Sequence, residues 1–247
     1  MAREEHFSHR GPGILGTFRS DPEIVGVFPE LSATAIPHAQ EIRVHRGDSM
    51  DIAIQVQDDK DPPDYVSVMG GVLRWAAKIG FGVTERNGVV VGNNGALIIK
   101  RSYVPGEIEM TSPTNGRAII HVRREDSRRL PLSPAVWDLE FTEAVSEITL
   151  PVGATVQLVA GSPTAIASGL SWTDLGVMSG DLFSAQGHTV MVTEVISPVH
   201  LGLDYTAWTT ATLPSAAPGC APEFAICVGR TKTVASGPFV VEGDVVL

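Results

Sequence analysis

The sequence predicts an all-β protein of two units, and three observations carry that prediction. Apolar residues recur at the two-residue period of strands over 42–56, 118–123 and 136–141, and over 72–77 Val72, Arg74 and Ala76 alternate with Leu73, Trp75 and Ala77. Turn-forming runs such as GNNG and DPPD separate these segments at strand spacing. No stretch sustains a helical period; SVMGGVLRWAAKIG is helical by composition, but its paired glycines disfavour that state. At 247 residues the chain is long enough for one large domain or two ordinary ones.

Residues 1–37 open the chain with apolar patches that lack a core-building period. Gly11, Pro12 and Gly13 break any regular element at the start. Ile14, Leu15 and Phe18, then Val25 and Phe28, are too apolar for free solution. The expectation is an extended arm that docks on another surface through these five residues.

A β-sandwich is expected over 38–160. Ile42 and Val44, then Ile52, Ile54 and Val56, form two strands joined at Gly47. DDKDPPD is an exposed loop, followed by strands at VLRWAA, ALIIKRSYV and EIEM. Over 118–141, Ala118, Ile120 and Val122 share one strand face, and Trp137, Leu139 and Phe141 share another. Between them EDSRRLPLSP carries charge and proline, and reads as the exposed end of a β-hairpin. EITLPVGATVQLV completes roughly seven to nine short strands, the number and spacing of a Greek-key, immunoglobulin-like sandwich. Trp75, Trp137, Leu139 and Phe141 are its expected core.

A smaller, barrel-like β-domain is expected over 161–247. Val190, Val192 and Val195 with Leu201 and Leu203 mark short strands around tight turns. FAICVGR, KTVAS and PFVVEGDVVL read as three closing strands, with Trp172, Phe183, Val190 and Val192 as core.

Charge and cysteine content narrow the function classes. The net charge of 18 − 28 = −10 argues against a general nucleic-acid binder. From Gly161 onward only Arg230 and Lys232 are basic, against Asp174, Asp181, Glu194, Asp204, Glu223, Glu242 and Asp244. So little charge leaves surface for other protein to cover. No apolar run approaches the roughly 18–20 residues that span a bilayer, so no membrane partner is expected. MAREEHFSHR lacks the apolar stretch of a signal peptide, and a product made in a cytosol is expected. Cys220 and Cys227 do not have zinc-knuckle spacing. A disulfide across their short loop is sterically allowed; two reduced, semi-buried thiols are the expectation for a cytosolic product.

Catalytic motifs are not legible, and no cofactor or metal is called for. Arg46-Gly47-Asp48 spells an integrin tripeptide but reads as a strand connection. Asp58, Asp59, Asp61 and Asp64 have no EF-hand spacing and read as a solvated loop. His121 has Asp126 close in sequence, but no G-x-S-x-G elbow supplies a nucleophile. Tyr205 and Trp208 could stack on a sugar, with a core role as the blander reading. The basic cluster Arg117, Arg123, Arg124, Arg128 and Arg129 is interleaved with Glu125 and Asp126. In an acidic chain it fits a subunit contact, with arginines meeting a neighbour's carboxylates.

Over about 40–160 the chain resembles the N-terminal domain of the phage baseplate upper protein family. The residues that carry the likeness are Val44-His45-Arg46-Gly47-Asp48-Ser49 with Ile52, Ile54 and Val56, and Gly71-Val72-Leu73-Arg74-Trp75. Ala118-Ile119-Ile120-His121-Val122, Trp137-Asp138-Leu139-Glu140 and Leu150-Pro151 with Gly153 complete the set. Trp172, Gly180-Asp181-Leu182-Phe183, Gly187, Val190, Val192, Val195, Leu201 and Leu203 resemble a short β module of tail and tail-fibre proteins. The resemblance implies a non-enzymatic structural component of a tailed-phage virion, at the tail tip or baseplate. It would be assembled in the host cytoplasm, without a cofactor, against other phage structural proteins and copies of itself. A head-to-tail connector or capsid-decorating protein is the alternative of the same class. A receptor protein that binds or cleaves a host-surface glycan is the alternative from another class.

Overall fold

The computed structural model describes residues 23–28, 41–58, 64–79, 85–86, 89–90, 96–130, 135–215 and 222–243. In chain order the elements are β1 (Glu23–Phe28), β2 (Ile42–His45), β3 (Met50–Asp58), β4 (Val72–Ile79), β5 (Glu85–Arg86) and β6 (Val89–Val90). There follow β7 (Ala96–Arg101), β8 (Ile108–Ser112), a 3-10 turn (Pro113–Asn115), β9 (Arg117–Val122), α1 (Arg124–Arg129) and β10 (Ala135–Glu147). The rest are β11 (Thr155–Leu158), β12 (Thr164–Ser168), β13 (Leu182–Ala185), β14 (His188–Ser197), β15 (His200–Leu203), β16 (Ala211–Pro214) and β17 (Phe224–Glu242). The protein is all-β, with large antiparallel sheets.

Two compact units divide the chain. One takes Met1–Met69, Leu73–Phe141 and Lys232–Leu247; the other takes Gly70–Val72 and Thr142–Thr231. The expected break near residue 160 therefore lies inside the second unit, because β11, upstream of it, pairs with β12 and β16. The three closing strands expected of the C-terminal domain run as one strand, β17, and its stretch from Lys232 onward belongs to the first unit.

In the first unit one sheet has the order β1-β3-β9-β8. The other runs from β17 through β10 and β4 to β7, with β2 pairing in parallel with Phe239–Glu242 of β17. The alternation read from the sequence decides which side chains meet between them. Ile52, Ile54, Val56, Ala118, Ile120 and Val122 from the first sheet pack with Trp75, Trp137, Leu139, Phe141 and Phe239 from the second. All the predicted core residues of this unit are buried, and Trp75 meets Phe239 edge-on at 5.7 Å. The outward residues Asp138 and Glu140 take cross-strand ion pairs with Lys78 and Arg74.

The hairpin expected over 118–141 is overturned. β9 pairs with β3 and β8 in one sheet, whereas β10 lies next to β4 in the other. The link between them crosses the sandwich, and part of it is the helix α1, with Ser127 and Leu130 fully buried. Both strands present an apolar face, and each satisfies that face in a different sheet of one core. β1 adds in parallel to β3, from Glu23 opposite Ala53 to Phe28 opposite Asp58, so this part of the arm docks on its own chain.

In the second unit the strand order is β16-β11-β12-β15-β14-β13-β17, with antiparallel neighbours. β14 serves both β13 and β15, and bulges between Val192 and Glu194 and between Val195 and Ser197 interrupt its register with β15. Trp172, Phe183, Val190 and Val192 are buried as expected. Phe183 stacks on Phe224 at 6.2 Å and meets Trp208 edge-on at 5.9 Å.

Gly116 closes the turn into β9 at φ +65°, where an added Cβ would lie 2.6 Å from the carbonyl oxygens of both Val56 and Val66. Those oxygens belong to backbone and cannot swing aside. Gly116→Ala is therefore expected to lose about 2–4 kcal/mol of stability, combining left-handed strain with the clash. Urea denaturation measures it; an unchanged midpoint would refute the close approach.

Candidate functional site: the arginine-bearing crossover

The crossover from β9 to β10 is built around one hydroxyl. Ser127 Oγ lies 2.7 Å from the Asp48 carbonyl and 3.1 Å from that of Arg124, and it accepts the Gly47 N–H at 3.0 Å. Gly47 sits at φ +93° in the β2–β3 turn, the second place where the chain crosses between sheets at this edge. The Arg46-Gly47-Asp48 tripeptide is thus a connection, as the sequence suggested. Arg46 Nε donates to the Arg128 carbonyl at 3.2 Å, adding a further tie between turn and helix.

Below the helix lies a buried charge pair. Lys100 on β7 is only 4 % exposed, in register with Trp75 on the inner face, and its ammonium bonds Asp126. The same carboxylate accepts the Arg123 N–H at 2.8 Å, capping the first turn of α1. A buried ammonium is tolerable only when paired and hydrogen-bonded. Glu107 stands close by, accepting the Arg101 N–H at 2.9 Å. Burial pushes its carboxyl above the ordinary 4.5, against the opposing pull of the Arg101 hydrogen bond and of the Arg101 and Lys100 charges.

The sequence cluster of five arginines divides. Arg117 is exposed at the start of β9, about 20 Å from Arg123 at the ~3.4 Å rise of a strand residue. Arg123, Arg124 and Arg128 are exposed at the other end, and Arg46 joins them from the β2–β3 turn. Arg123 is partly engaged, donating to the Gly106 carbonyl at 3.1 Å and standing 4.0 Å from Glu125. Arg46, Arg124 and Arg128 have no carboxylate partner among the described residues. Arg129 ends α1, and its side chain lies outside the description. Ile14, Leu15 and Phe18 lie outside the described residues; Val25 and Phe28 are placed in β1 by backbone alone.

Other candidates resolve into structural roles. His121 does not meet Asp126: its Nδ1 lies 2.7 Å from Asp51 and its Nε2 3.6 Å from Glu109, across three neighbouring strands. Both ring nitrogens thus face carboxylates, leaving neither for a nucleophile. Ser197 Oγ lies 2.9 Å from His200 Nδ1, a pairing that sequence reading missed. That oxygen also accepts the His200 N–H at 3.1 Å and closes the β14–β15 turn. Trp208 is 2 % exposed, edge-on to Tyr205 at 4.6 Å, so its ring has no open face for a sugar. Of the acidic loop, Asp59 and Asp61 lie outside the described residues, as does Cys220. Cys227 is a free, half-buried thiol; burial first, then Glu147 and Asp181, pushes its titration upward. No group of His, Cys, Asp and Glu suited to a metal ion occurs among the described residues.

Comparison with protein-family models, curated proteins and solved structures finds no match.

What this edge can do chemically is present guanidinium groups on backbone that is held in place. Arginine offers five donors in a planar fork suited to carboxylates. The signals missed in the sequence were the acidic first turn at Glu125 and Asp126, which marks a helix start, and Leu130 three residues after Ser127.

Two outcomes follow. Ser127→Ala strands the Gly47 N–H and the Asp48 carbonyl, and a loss of about 1–3 kcal/mol in chemical denaturation is expected; no loss would mean the hydroxyl ties nothing. For Glu107, the folded pKa is raised, so its stabilising contribution is complete below about pH 4.5 and is lost as pH rises through the raised value. The stability of Glu107→Gln relative to wild type should therefore grow between about pH 4 and pH 7 in urea midpoints taken at each pH. A constant difference would refute the burial effect.

Proposed function

We propose that this chain is a non-enzymatic structural component of a tailed-bacteriophage virion, at the tail tip or baseplate, acting by subunit assembly. The observation that carries the assembly reading is the crossover edge, where Arg46, Arg124 and Arg128 stand without carboxylate partners among the described residues, on an acidic chain. The backbone beneath them is fixed by Ser127 and by the Lys100–Asp126 pair. Exposed charges held this way favour a complementary surface more than they favour chemistry. The placement in a virion rests on the resemblance to the baseplate upper protein family and the tail β module. The residues that carry it in the first unit form β2 with its turn, β3, β4, β9 and β10. The partners are other virion proteins and copies of this chain, without cofactor, nucleic acid or membrane, and assembly takes place in the host cytoplasm.

A head-to-tail connector or capsid-decorating role would use the same edge at another station on the particle. The glycan-receptor reading loses its residue basis, since Trp208 is packed into the core of the second unit.

The test is localisation. Antibody against the chain, applied to purified particles under the electron microscope, is expected to label the tail tip. Label at the neck or over the capsid would move the chain to the alternative stations. Particles that carry none of it by mass spectrometry would end the virion reading.

A further inference from the structure

The second unit carries an excess of carboxylates, whereas the crossover carries an excess of arginines. Residues 142–231 hold one basic residue, Arg230, against seven acidic ones, a net charge of 1 − 7 = −6. Arg230 is taken by Glu143, and Asp181 is buried, accepting the Met178 and Gly229 N–H groups. Glu147, Asp174, Glu194 and Glu223 remain exposed, with no cationic partner among the described residues. The crossover edge carries Arg46, Arg123, Arg124 and Arg128 against Asp48 and Glu125, since Asp126 is committed to Lys100. Among the described residues the crossover edge thus keeps an excess of positive charge and the second unit an excess of negative charge, and a region of the opposite sign is present on every copy.

We propose that the arginine edge of one copy docks on the acidic second unit of another copy, a head-to-tail contact between two different surfaces of the same chain. A contact between two different surfaces closes as a two-fold dimer where both copies engage reciprocally, and continues as a ring or a filament where they do not. It supplies the repeated copies that the assembly reading requires, and it rests on that reading. Because exposed arginine and carboxylate side chains carry it, it is steered and held electrostatically and weakens with salt.

The experiment is sedimentation velocity on the full chain, at about 0.02 M and about 0.5 M salt, bracketing long and short screening lengths. Wild type is expected to associate at low salt and dissociate at high salt. The triple variant Arg46→Glu, Arg124→Glu, Arg128→Glu, and the triple variant Glu147→Lys, Glu194→Lys, Glu223→Lys, should each lose association by about tenfold or more. Mixing the two should restore it, because each retains or acquires the surface complementary to the other. Circular dichroism and melting confirm folding, and if a reversal variant unfolds, Arg124→Gln with Arg128→Gln gives the milder loss. Wild type that stays monomeric, association indifferent to salt or to the arginine variant, or a mixture that stays apart would each overturn the proposal. So would capture of a short DNA duplex by wild type without self-association. This assay needs no particle, so its failure leaves the virion reading standing, and absence of the chain from particles would fail that reading alone.

Discussion

Two chain crossings between the sheets of the first unit share one buried hydroxyl, and much of that unit depends on the arrangement. A sandwich whose strands alternate between sheets must pass its backbone over an open edge, where peptide groups lose both strand partners and water. Ser127 answers that requirement for the β2–β3 turn and for α1 together, accepting from Gly47 and donating to a carbonyl. Leu130 then plugs the core beneath, joining the cluster of Trp75, Trp137 and Phe239.

Charge is also placed at this edge with compensation. Lys100 points inward from β7, and without Asp126 it would be a buried cation left with no hydrogen-bonded carboxylate among the described residues. Asp126 meets that need while capping the helix, so the ion pair and the crossover fix each other. Glu107, half-buried beside them, is held less comfortably, and its raised titration records the desolvation. The arginines on the outer side of the same helix have no such inward duty. Their backbone is constrained from below while their guanidinium groups remain in solvent, the division of labour expected of a docking surface.

Charge is divided unevenly along the chain. The second unit is nearly devoid of basic residues, and its exposed carboxylates outnumber what Arg230 neutralises. Within the acidic unit such a division brings self-repulsion.

By itself the sequence determined the strand faces. Ala118, Ile120 and Val122, and Trp137, Leu139 and Phe141, alternate in the chain and are buried in the fold, because a two-residue period fixes which side chains share a face. It also determined the all-β class, the aromatic core of the second unit, and the connecting role of Arg46-Gly47-Asp48. Tertiary structure alone decided which strands became neighbours. The adjacency of 118–123 and 136–141 along the chain suggested a hairpin, yet β9 and β10 went to opposite sheets, since an apolar face is satisfied equally by a partner strand's sheet or the facing one. The same long-range choice turned EDSRR from a solvent loop into a helix over Lys100, split Arg117 from the other arginines, and carried the end of β17 back to β2. These pairings join residues about 25 to 200 positions apart, and local periodicity holds no information about contacts at that range.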